Sequence, residues 1–429
     1  MCRRVVAFVG SILLLGATFT RELSVQAPAD LQSGPKYQGA PSLVTIDGGF
    51  FAAWYDGRSG RASIYGTQVS IDGDIASLSG RELAPTGNTP SAACSATQCL
   101  VTWMYTAPGD VKVGQQVLAR VLAIRVGLDQ TPIDAQPLEL MARSPVYGNF
   151  QPAVASDGTD FIVLVSRVIS GQPRLEVVRV TEAGAVVPGG PVALLSGSTN
   201  QQHPAIAWSG SSYLAAWNEP GTTGRMRIER LSPGGALLAG SGLTVPVTGG
   251  SADRTAVSCG PLSCLVAWGQ PTGREVYGVR VAPDSTLLDA QPVRLGTNLS
   301  NVPFLTATTD GAAHLLAYTT NSGLAAVRFQ VDGAASPVNV THSADAGTTR
   351  PALASSGDRV LLGFTERVGP SANLRLSWLS PDGTSFEAPV HELPQLGPLQ
   401  DSPHVVRVDG GHLVVWLEWR DGTVDLRTA

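Results

Sequence analysis

Acidic, basic and aromatic residues follow several short apolar runs of this 429-residue sequence, where their side chains could bind a ligand or react with it. These residues are Asp56, Arg58, Tyr105, Arg167, Glu219, Glu366, Arg367, Glu418, Trp419 and Arg420. A second polar group, which precedes other apolar runs, consists of His203, Asp253, Arg254 and Arg350. Two carboxylates held about 5–9 Å apart can hydrolyse a glycosidic bond, whereas arginine forks bind carboxylates without reacting. The residue types therefore suit either glycoside hydrolysis or binding without catalysis.

Signature motifs of other reaction classes are absent from the sequence. It contains no G-x-S-x-G elbow, no H-E-x-x-H zinc motif, no GxxxxGK[ST] phosphate loop and no D-x-D-x-D-G calcium loop. We therefore expect no metal site and no cofactor, and we favour binding over catalysis.

The charge balance excludes one class of partner. Only 15% of the residues are charged, and 29 basic against 34 acidic residues give a formal net charge of −5. Such a chain offers no basic surface for DNA or RNA. We expect a protein or a surface glycan as the partner.

The N-terminal segment has the pattern of an export signal. Arg3 and Arg4 precede an apolar run over residues 5–19, and Ala27-Pro28-Ala29 matches an A-x-A cleavage site. The pattern predicts a signal peptide over residues 1–29, with an uncleaved anchor as the alternative. No later segment is long and apolar enough to span a membrane. We expect the mature chain in the periplasm, at the cell surface or outside the cell of a bacterium.

Four cysteines follow the predicted signal, in two pairs with C-x4-C spacing: Cys94 with Cys99, and Cys259 with Cys264. Zinc sites favour C-x2-C spacing with matching histidines, which the sequence lacks. Each pair flanks a predicted four-residue hairpin loop, so its cysteines would face each other at disulfide distance. In an exported chain this arrangement predicts two structural disulfides.

One pattern of about fifty residues recurs eight times, with copies starting near residues 41, 90, 152, 204, 255, 303, 351 and 403. Each copy reads proline (threonine in the fifth), small or apolar residues, a turn, and an apolar run that mostly ends in an aromatic residue such as Trp54 or Trp103. Further β-branched runs and Asp-Gly turns follow. Each copy therefore predicts four antiparallel strands, named A to D.

Four strands repeated at this period are typical of a β-propeller blade. Eight copies predict an all-β, eight-bladed propeller over residues 30–429, as a single domain and a monomer. The last copy ends after its third strand, while residues 29–41 resemble the fourth-strand sequence at 139–152. We therefore predict that an N-terminal strand completes the last blade and closes the ring. Seven blades plus a cap is the alternative.

Two resemblances to known families support this architecture. Trp54-Tyr55-Asp56-Gly57-Arg58, followed by Ile64-Tyr65-Gly66, resembles the W-x-D-x-R…I-Y-G repeats of secreted, mostly uncharacterised bacterial propeller proteins. Residues 380–386 (SPDGTSF) distantly resemble the Asp-box of sialidases but are one residue short. The first resemblance implies architecture and no activity. The second implies an arginine cluster and a tyrosine with an acidic partner, which no motif here identifies.

The predicted propeller brings the two groups of polar residues to one face. In this fold the A strands line a central channel, and the D–A and B–C connections surround one mouth of it. By analogy with other propellers, the ligand binds there. We expect a non-catalytic propeller that binds a protein or surface-glycan partner through this face. The alternative is a sialidase-like glycoside hydrolase or a polysaccharide lyase that uses the loop carboxylates.

An arginine recurs at the same point of strand C in six copies, and we interpret it as a structural residue and not as part of the ligand site. The six residues are Arg125, Arg179, Arg230, Arg280, Arg328 and Arg427. A residue repeated from blade to blade serves the blade, so we expect each arginine to bind a neighbouring carboxylate or carbonyl.

Overall fold

The computed structural model describes residues 38–57, 62–77, 80–107, 116–147, 150–187, 192–193, 200–221, 224–247, 252–301, 303–330, 338–343, 350–357, 359–368, 371–380, 386–392, 399–408, 411–420 and 423–428. The regular structure of this part of the chain is entirely β-strand. Its strands form antiparallel sheets whose members follow one another along the chain.

The first four sheets, called blades 1 to 4, each contain four strands in chain order. Blade 1 has β1 (Gln38–Ile46), β2 (Gly49–Asp56), β3 (Ser63–Ser70) and β4 (Arg81–Ala84). Blade 2 has β5 (Asn88–Cys94), β6 (Gln98–Tyr105), β7 (Gln116–Gly127) and β8 (Leu138–Tyr147). Blade 3 has β9 (Ala153–Ser156), β10 (Phe161–Ile169), β11 (Gln172–Val180) and β12 (Val192–Ala193). Blade 4 has β13 (Gln202–Trp208), β14 (Tyr213–Glu219), β15 (Arg225–Leu231) and β16 (Leu243–Pro246).

Blades 5 to 7 repeat the same order. Blade 5 has β17 (Asp253–Cys259), β18 (Cys264–Gln270), β19 (Glu275–Val281) and β20 (Val293–Gly296). Blade 6 has β21 (Leu305–Thr309), β22 (Ala313–Thr320), β23 (Gly323–Gln330) and β24 (Val338–Ser343). Blade 7 has β25 (Ala352–Ser355), β26 (Val360–Val368), β27 (Ser371–Leu379) and β28 (Phe386–Glu392).

The first strand of each blade is strand A of the sequence pattern, and the second carries the buried aromatic anchor. Trp54, Trp103, Trp217 and Trp268 are at most 1% exposed. Both faces of strand B are buried because each blade packs between two others, which explains the nearly continuous apolar runs. The predicted four-stranded antiparallel units are thus confirmed.

Eight apolar clusters of described residues join the blades into a closed ring, the eighth being a small one of Trp54, Tyr65 and Leu374 between blades 1 and 7. Six of them link consecutive blades. The seventh joins blade 1 to blade 7, with the Phe50 and Trp378 rings 5.7 Å apart and Ala52 packed beside Leu361. Across the same junction, the Leu374 N–H donates to the Gln38 side-chain oxygen at 3.1 Å. Blade 7 therefore meets blade 1 directly.

This junction corrects the predicted number of blades. The eight-bladed prediction is wrong, and the alternative of seven blades is the one found. All seven blades contain four strands of their own, so none of them needs the predicted N-terminal strand to be complete. Residues 29–37 of the segment proposed for that strand, like the predicted signal peptide, lie outside the described residues, whereas residues 38–41 belong to β1 of blade 1.

The eighth repeat forms a sheet of its own. It contains the three strands β29 (Leu399–Val408), β30 (Gly411–Arg420) and β31 (Thr423–Thr428). These strands belong to a compact unit separate from residues 36–394. The sequence therefore contains one more copy of the repeat than the ring has blades.

Both predicted disulfides are confirmed. Cys94 and Cys99 are directly opposite each other in the β5–β6 ladder, with Cα atoms 3.9 Å apart. Cys259 and Cys264 hold the same positions in the β17–β18 ladder, at 4.0 Å. Each bond closes the turn between strands A and B of its blade.

The recurring arginines serve the blades as predicted. Ion pairs join Arg125 to Asp134, Arg179 to Asp160, Arg280 to Asp289 and Arg328 to Asp310. Arg230 instead donates to Ser209 and Ser212 of its own blade and to the Ala282 carbonyl of blade 5. Charge-assisted hydrogen bonds of this kind fix the turns at one end of the ring. The side chain of Arg427 is not among those described.

The described residues contain no helix that is long and apolar enough to cross a membrane.

Candidate functional site

A β-bulge at the start of strand A turns one residue of several blades towards the channel. In blades 1, 2, 4 and 5 the residue before the repeat proline or threonine has a left-handed backbone; these residues are Ala40, Thr89, His203 and Arg254, with φ of 48° to 55°. At each of these points the pairing of strands A and B shifts register. A bulge breaks the ladder and re-aims the side chain at that point. Three of these four residues, Ala40, His203 and Arg254, lie in the walls of the cavities at the channel mouth.

Two cavities of about 210 and 160 Å³ lie where the A strands of the seven blades meet. They share Ser91, Gln151 and Phe304 in their walls and therefore adjoin. His203 and Arg254 line the first cavity, and Arg350 lines the second. Among the lining residues that the structure describes, the charged ones are both arginines. The described charged residues in the cavity walls, Arg254 and Arg350, are therefore positive although the chain as a whole is acidic.

The side chains of both arginines lie against the ring of Phe304. The guanidinium carbon of Arg254 lies 4.8 Å from the centre of the Phe304 ring, and that of Arg350 lies 4.2 Å from it. The face of an aromatic ring attracts cations, by about 0.5–2 kcal/mol for each. Burial lowers the pKa of Arg254, opposed by the neighbouring Asp253, but an arginine in a protein stays charged. Two fixed guanidinium groups therefore converge on one ring.

His203 adds a neutral hydrogen-bonding group. Its side chain is 8% exposed, and its Nε2 lies 3.1 Å from Oδ1 of Asp253. Burial and the positive charge of Arg254 lower the pKa of His203 to about 4, against the opposing effect of Asp253. At neutral pH the ring is therefore uncharged, with its proton on Nε2 because the carboxylate only accepts. Its Nδ1 is then an acceptor for a ligand hydroxyl.

Gln151 is fixed in the same wall. Its side-chain nitrogen donates to the Pro90 carbonyl at 3.2 Å, which connects blades 2 and 3. By contrast, Ala40 and Thr89 hold the same repeat position in blades 1 and 2 with small side chains. Among the described residues at this repeat position, those of blades 3, 4, 5 and 7 are large and polar and those of blades 1 and 2 are small, so the mouth is asymmetric.

Four of the predicted site residues converge here: His203, Asp253, Arg254 and Arg350. Four others lie in contacts that support the blades. The Asp56 carboxylate is fully buried and accepts from Gln38 and from the Trp54 indole. Glu219 is buried between the Trp217 indole and Arg225.

Arg167 and Tyr105 complete this second group. Arg167 forms an ion pair with Glu176 at 2.8 Å, and burial raises the pKa of that glutamate. Tyr105 packs against the apolar cluster between blades 1 and 2. None of these four residues lines the two cavities.

The remaining predicted residues lie outside the part of the chain whose side chains the structure describes. Arg58 lies outside the described residues. Glu366 and Arg367 lie on β26, and Glu418, Trp419 and Arg420 lie on β30, with side chains that are not described.

Sequence reasoning missed Phe304, although the repeat contains a signal for it. The residue after the repeat proline or threonine is serine or alanine in blades 1 to 5 and in blade 7. In blade 6 the same position is Phe304. A large aromatic residue at a position that is otherwise small interrupts the symmetry, as expected of a binding site rather than of a structural repeat.

Comparisons with known proteins show the fold. No protein-family model matches the sequence, and no curated protein matches it. The chain is similar in structure to a periplasmic gluconolactonase of Pseudomonas aeruginosa, with a TM-score of 0.54 and 15% identity over 85% of this chain and 94% of that one.

A prolyl endopeptidase matches with a TM-score of 0.44 and 15% identity, over 92% of this chain and 54% of that one. A subtype N10 neuraminidase-like protein of A/little yellow-shouldered bat/Guatemala matches with a TM-score of 0.42 and 10% identity, over 67% of this chain and 92% of that one. At 15% identity we take only the fold from the similarity to the gluconolactonase.

Proposed function

We propose that this protein binds an acidic glycan at the channel mouth and does not transform it. The observation that carries the proposal is the charge of the cavity walls. The chain has a net charge of −5, yet the charged residues among the described lining are Arg254 and Arg350. Both guanidinium groups lie over the ring of Phe304, which the two cavities share, so each of the adjoining cavities has one arginine fork for an anionic group.

The neutral groups of the site favour a sugar as the bearer of that anionic group. Gln151, Ser91 and the Nδ1 atom of His203 supply donors and acceptors that suit ring hydroxyls. A cavity of about 210 Å³ is smaller than the ~300–1,000 Å³ of pockets for drug-sized ligands. It suits a single sugar residue at the end or branch of a chain, with its carboxylate against Arg254 and the next residue of the chain in the adjoining cavity, which Arg350 lines.

The positions of the carboxylates support binding over hydrolysis. Hydrolysis needs two carboxyl groups about 5–9 Å apart at the sugar. In the described part of the site Asp253 interacts with His203 and Arg254, and Glu219 is buried beside Trp217 away from the cavities. The arrangement is that of a binding site in which arginines recognise charge and neutral groups recognise hydroxyls.

Titration calorimetry with oligogalacturonate, and with the same oligosaccharide after reduction of its carboxyl groups, tests the proposal. We expect the acidic ligand to bind and the neutral one to bind at least tenfold more weakly. Arg350→Gln should weaken binding of the acidic ligand by about 10–100-fold, because it removes a charge-assisted hydrogen bond worth about 1.5–3 kcal/mol.

Arg294→Gln is the matched control, since Arg294 is 61% exposed and pairs with Glu275 outside the cavities. It should bind like the wild type. Equal binding of the neutral ligand, no binding of either ligand, or cleavage of the oligosaccharide would each contradict the proposal.

A second prediction separates the position of the arginines from their charge. Phe304→Leu keeps the net charge and most of the volume but removes the ring face on which Arg254 and Arg350 lie. We expect the affinity for oligogalacturonate to fall about tenfold, which corresponds to the loss of two cation–π contacts. Calorimetry measures this change, and thermal unfolding checks that the fold is retained. Unchanged affinity would show that Phe304 does not position the arginines.

A further inference from the structure

Five leucines of blades 4 and 5 are exposed to solvent, and we call them the leucine patch. Their exposed fractions are 42% for Leu237, 39% for Leu238, 61% for Leu262, 39% for Leu287 and 46% for Leu288. Within the described residues, the only other large apolar side chains with such exposure are Ile133 and Ile169. Apolar exposure is thus concentrated in two neighbouring blades.

The patch lies at one end of the two blades. Leu237 and Leu238 follow the C–D turn of blade 4, and Leu287 and Leu288 hold the same place in blade 5. In both blades the second leucine donates its backbone N–H to the backbone carbonyl of the strand-C arginine, Leu238 to that of Arg230 and Leu288 to that of Arg280.

Leu262 lies in the A–B turn of blade 5, between Cys259 and Cys264. In an antiparallel sheet the A–B and C–D turns lie at the same end, opposite the D–A connection. The leucine patch is therefore on the face of the ring away from the channel mouth.

The turns that carry the patch are held rigidly. Arg230 of blade 4 donates to the Ser285 hydroxyl at 2.9 Å and to the Ala282 carbonyl at 2.8 Å, which ties blade 4 to the C–D turn of blade 5. The Cys259–Cys264 disulfide closes the turn that carries Leu262. A rigid apolar surface loses little conformational freedom on binding, which favours association.

The charge of the patch indicates what covers it. Residues 232–242 and 259–264 contain no charged residue. The C–D connection of blade 5, residues 282–292, contains Asp284 and Asp289, and Asp289 is paired with Arg280. Two copies of a chain with a net charge of −5 repel each other. This repulsion is weakest where uncharged parts of their surfaces meet, as they would at the leucine patch. An acidic membrane is disfavoured because the turns that carry the leucines, residues 232–242, 259–264 and 282–292, contain no lysine or arginine.

We propose that the leucine patch is the centre of a two-fold symmetric dimer of this chain. The five leucines expose roughly 400 Å² of apolar surface, as much as the largest patch of a typical monomer. That area suffices for the apolar centre of an interface of about 800 Å² per partner. In a two-fold dimer the same patch covers itself, so no second surface is required. The dimer replaces the monomer expected from the sequence and does not depend on the proposed glycan site.

Sedimentation equilibrium of the full mature chain tests this proposal. We expect a dimer with a dissociation constant in about the micromolar range, and at least a tenfold weaker dimer for the double variant Leu238→Ser/Leu288→Ser. Both leucines are exposed, so the variant should keep the fold, which circular dichroism checks.

The matched control is Ile133→Ser/Ile169→Ser, which removes two equally exposed apolar side chains from blades 2 and 3. It should dimerise like the wild type. A wild type that stays monomeric at about 100 μM, or a leucine variant that dimerises as strongly as the wild type, would overturn the proposal. So would a monomeric wild type that binds phosphatidylcholine vesicles through these leucines.

Discussion

Lowering the pH from 6.5 to 4 should reduce the free energy of unfolding by about 3 kcal/mol through one buried side chain, His314. This residue lies on β22 of blade 6 and is 0% exposed. Its Nδ1 lies 2.9 Å from the Ser258 hydroxyl and its Nε2 lies 3.1 Å from the Ser263 hydroxyl, both in blade 5. The ring therefore joins two blades as a neutral group.

The direction of the effect follows from the pKa of His314. Burial and the positive charge of Arg280 lower this pKa from 6.5 to about 4, while Asp310, which is paired with Arg328, opposes the shift. Between these values the unfolded chain takes up a proton that the folded protein does not. The contribution of neutral His314 to the free energy of unfolding is therefore fully present above pH 6.5 and is lost as the pH falls towards 4.

Urea unfolding at pH 7.5 and at pH 4 measures this loss, with His314→Gln as the comparison. Glutamine keeps hydrogen-bonding groups for the two serines but does not titrate, so the variant should lose about 3 kcal/mol less between the two pH values. His203, whose pKa is also lowered, remains in both proteins and contributes equally to both. An identical pH dependence for the two proteins would refute the assignment to His314.

Replacing Arg280 by methionine should destabilise the ring by about 3–5 kcal/mol, because it leaves a buried carboxylate without its cation. The Arg280 and Asp289 side chains are only 10% and 7% exposed. Asp289 accepts from the Arg280 guanidinium through both oxygens and from the Arg280 backbone N–H at 2.7 Å. The guanidinium also lies over the Phe329 ring of blade 6, at 5.1 Å from its centre.

Two further variants distinguish the effect of an unpaired buried charge from the effect of lost packing. The double variant Arg280→Met/Asp289→Leu should regain much of the stability, since an apolar pair can replace a buried ion pair. Arg294→Met, which breaks an exposed pair with Glu275, should cost less than about 1 kcal/mol. Chemical unfolding at pH 7.5 compares all three proteins. If Arg280→Met costs no more than Arg294→Met, burial of the pair is not what stabilises the turn.

The repeat and its local chemistry could be predicted from the sequence because short-range patterns determine them. The apolar run that ends at Trp54 becomes β2, a strand buried on both faces. Cys259 and Cys264 become partners because a tight turn separates them. Each of these features depends on residues that lie close together along the chain, where periodicity and turn residues act directly.

The candidate site could be predicted in part. The position before the repeat proline or threonine identified His203, Arg254 and Arg350, which line the cavities, because this position recurs next to strand A in each blade. At His203 and Arg254 a bulge in strand A accompanies it. The residues that follow strand B were also predicted to bind the ligand, but the described ones have structural roles. Asp56 and Glu219 each stand two residues after a buried tryptophan, whose indole N–H needs an acceptor.

The sequence by itself determined the blade: four antiparallel strands, the disulfide-closed turns and the arginine that stabilises the strand-C end. Only the tertiary structure decided that seven blades close the ring, because closure depends on Phe50 and Trp378, more than three hundred residues apart, packing at one junction. The convergence of Arg254 and Arg350 on Phe304 is decided in the same way. Local patterns determine what each repeat forms, whereas contacts between distant repeats determine how many fit and which side chains meet.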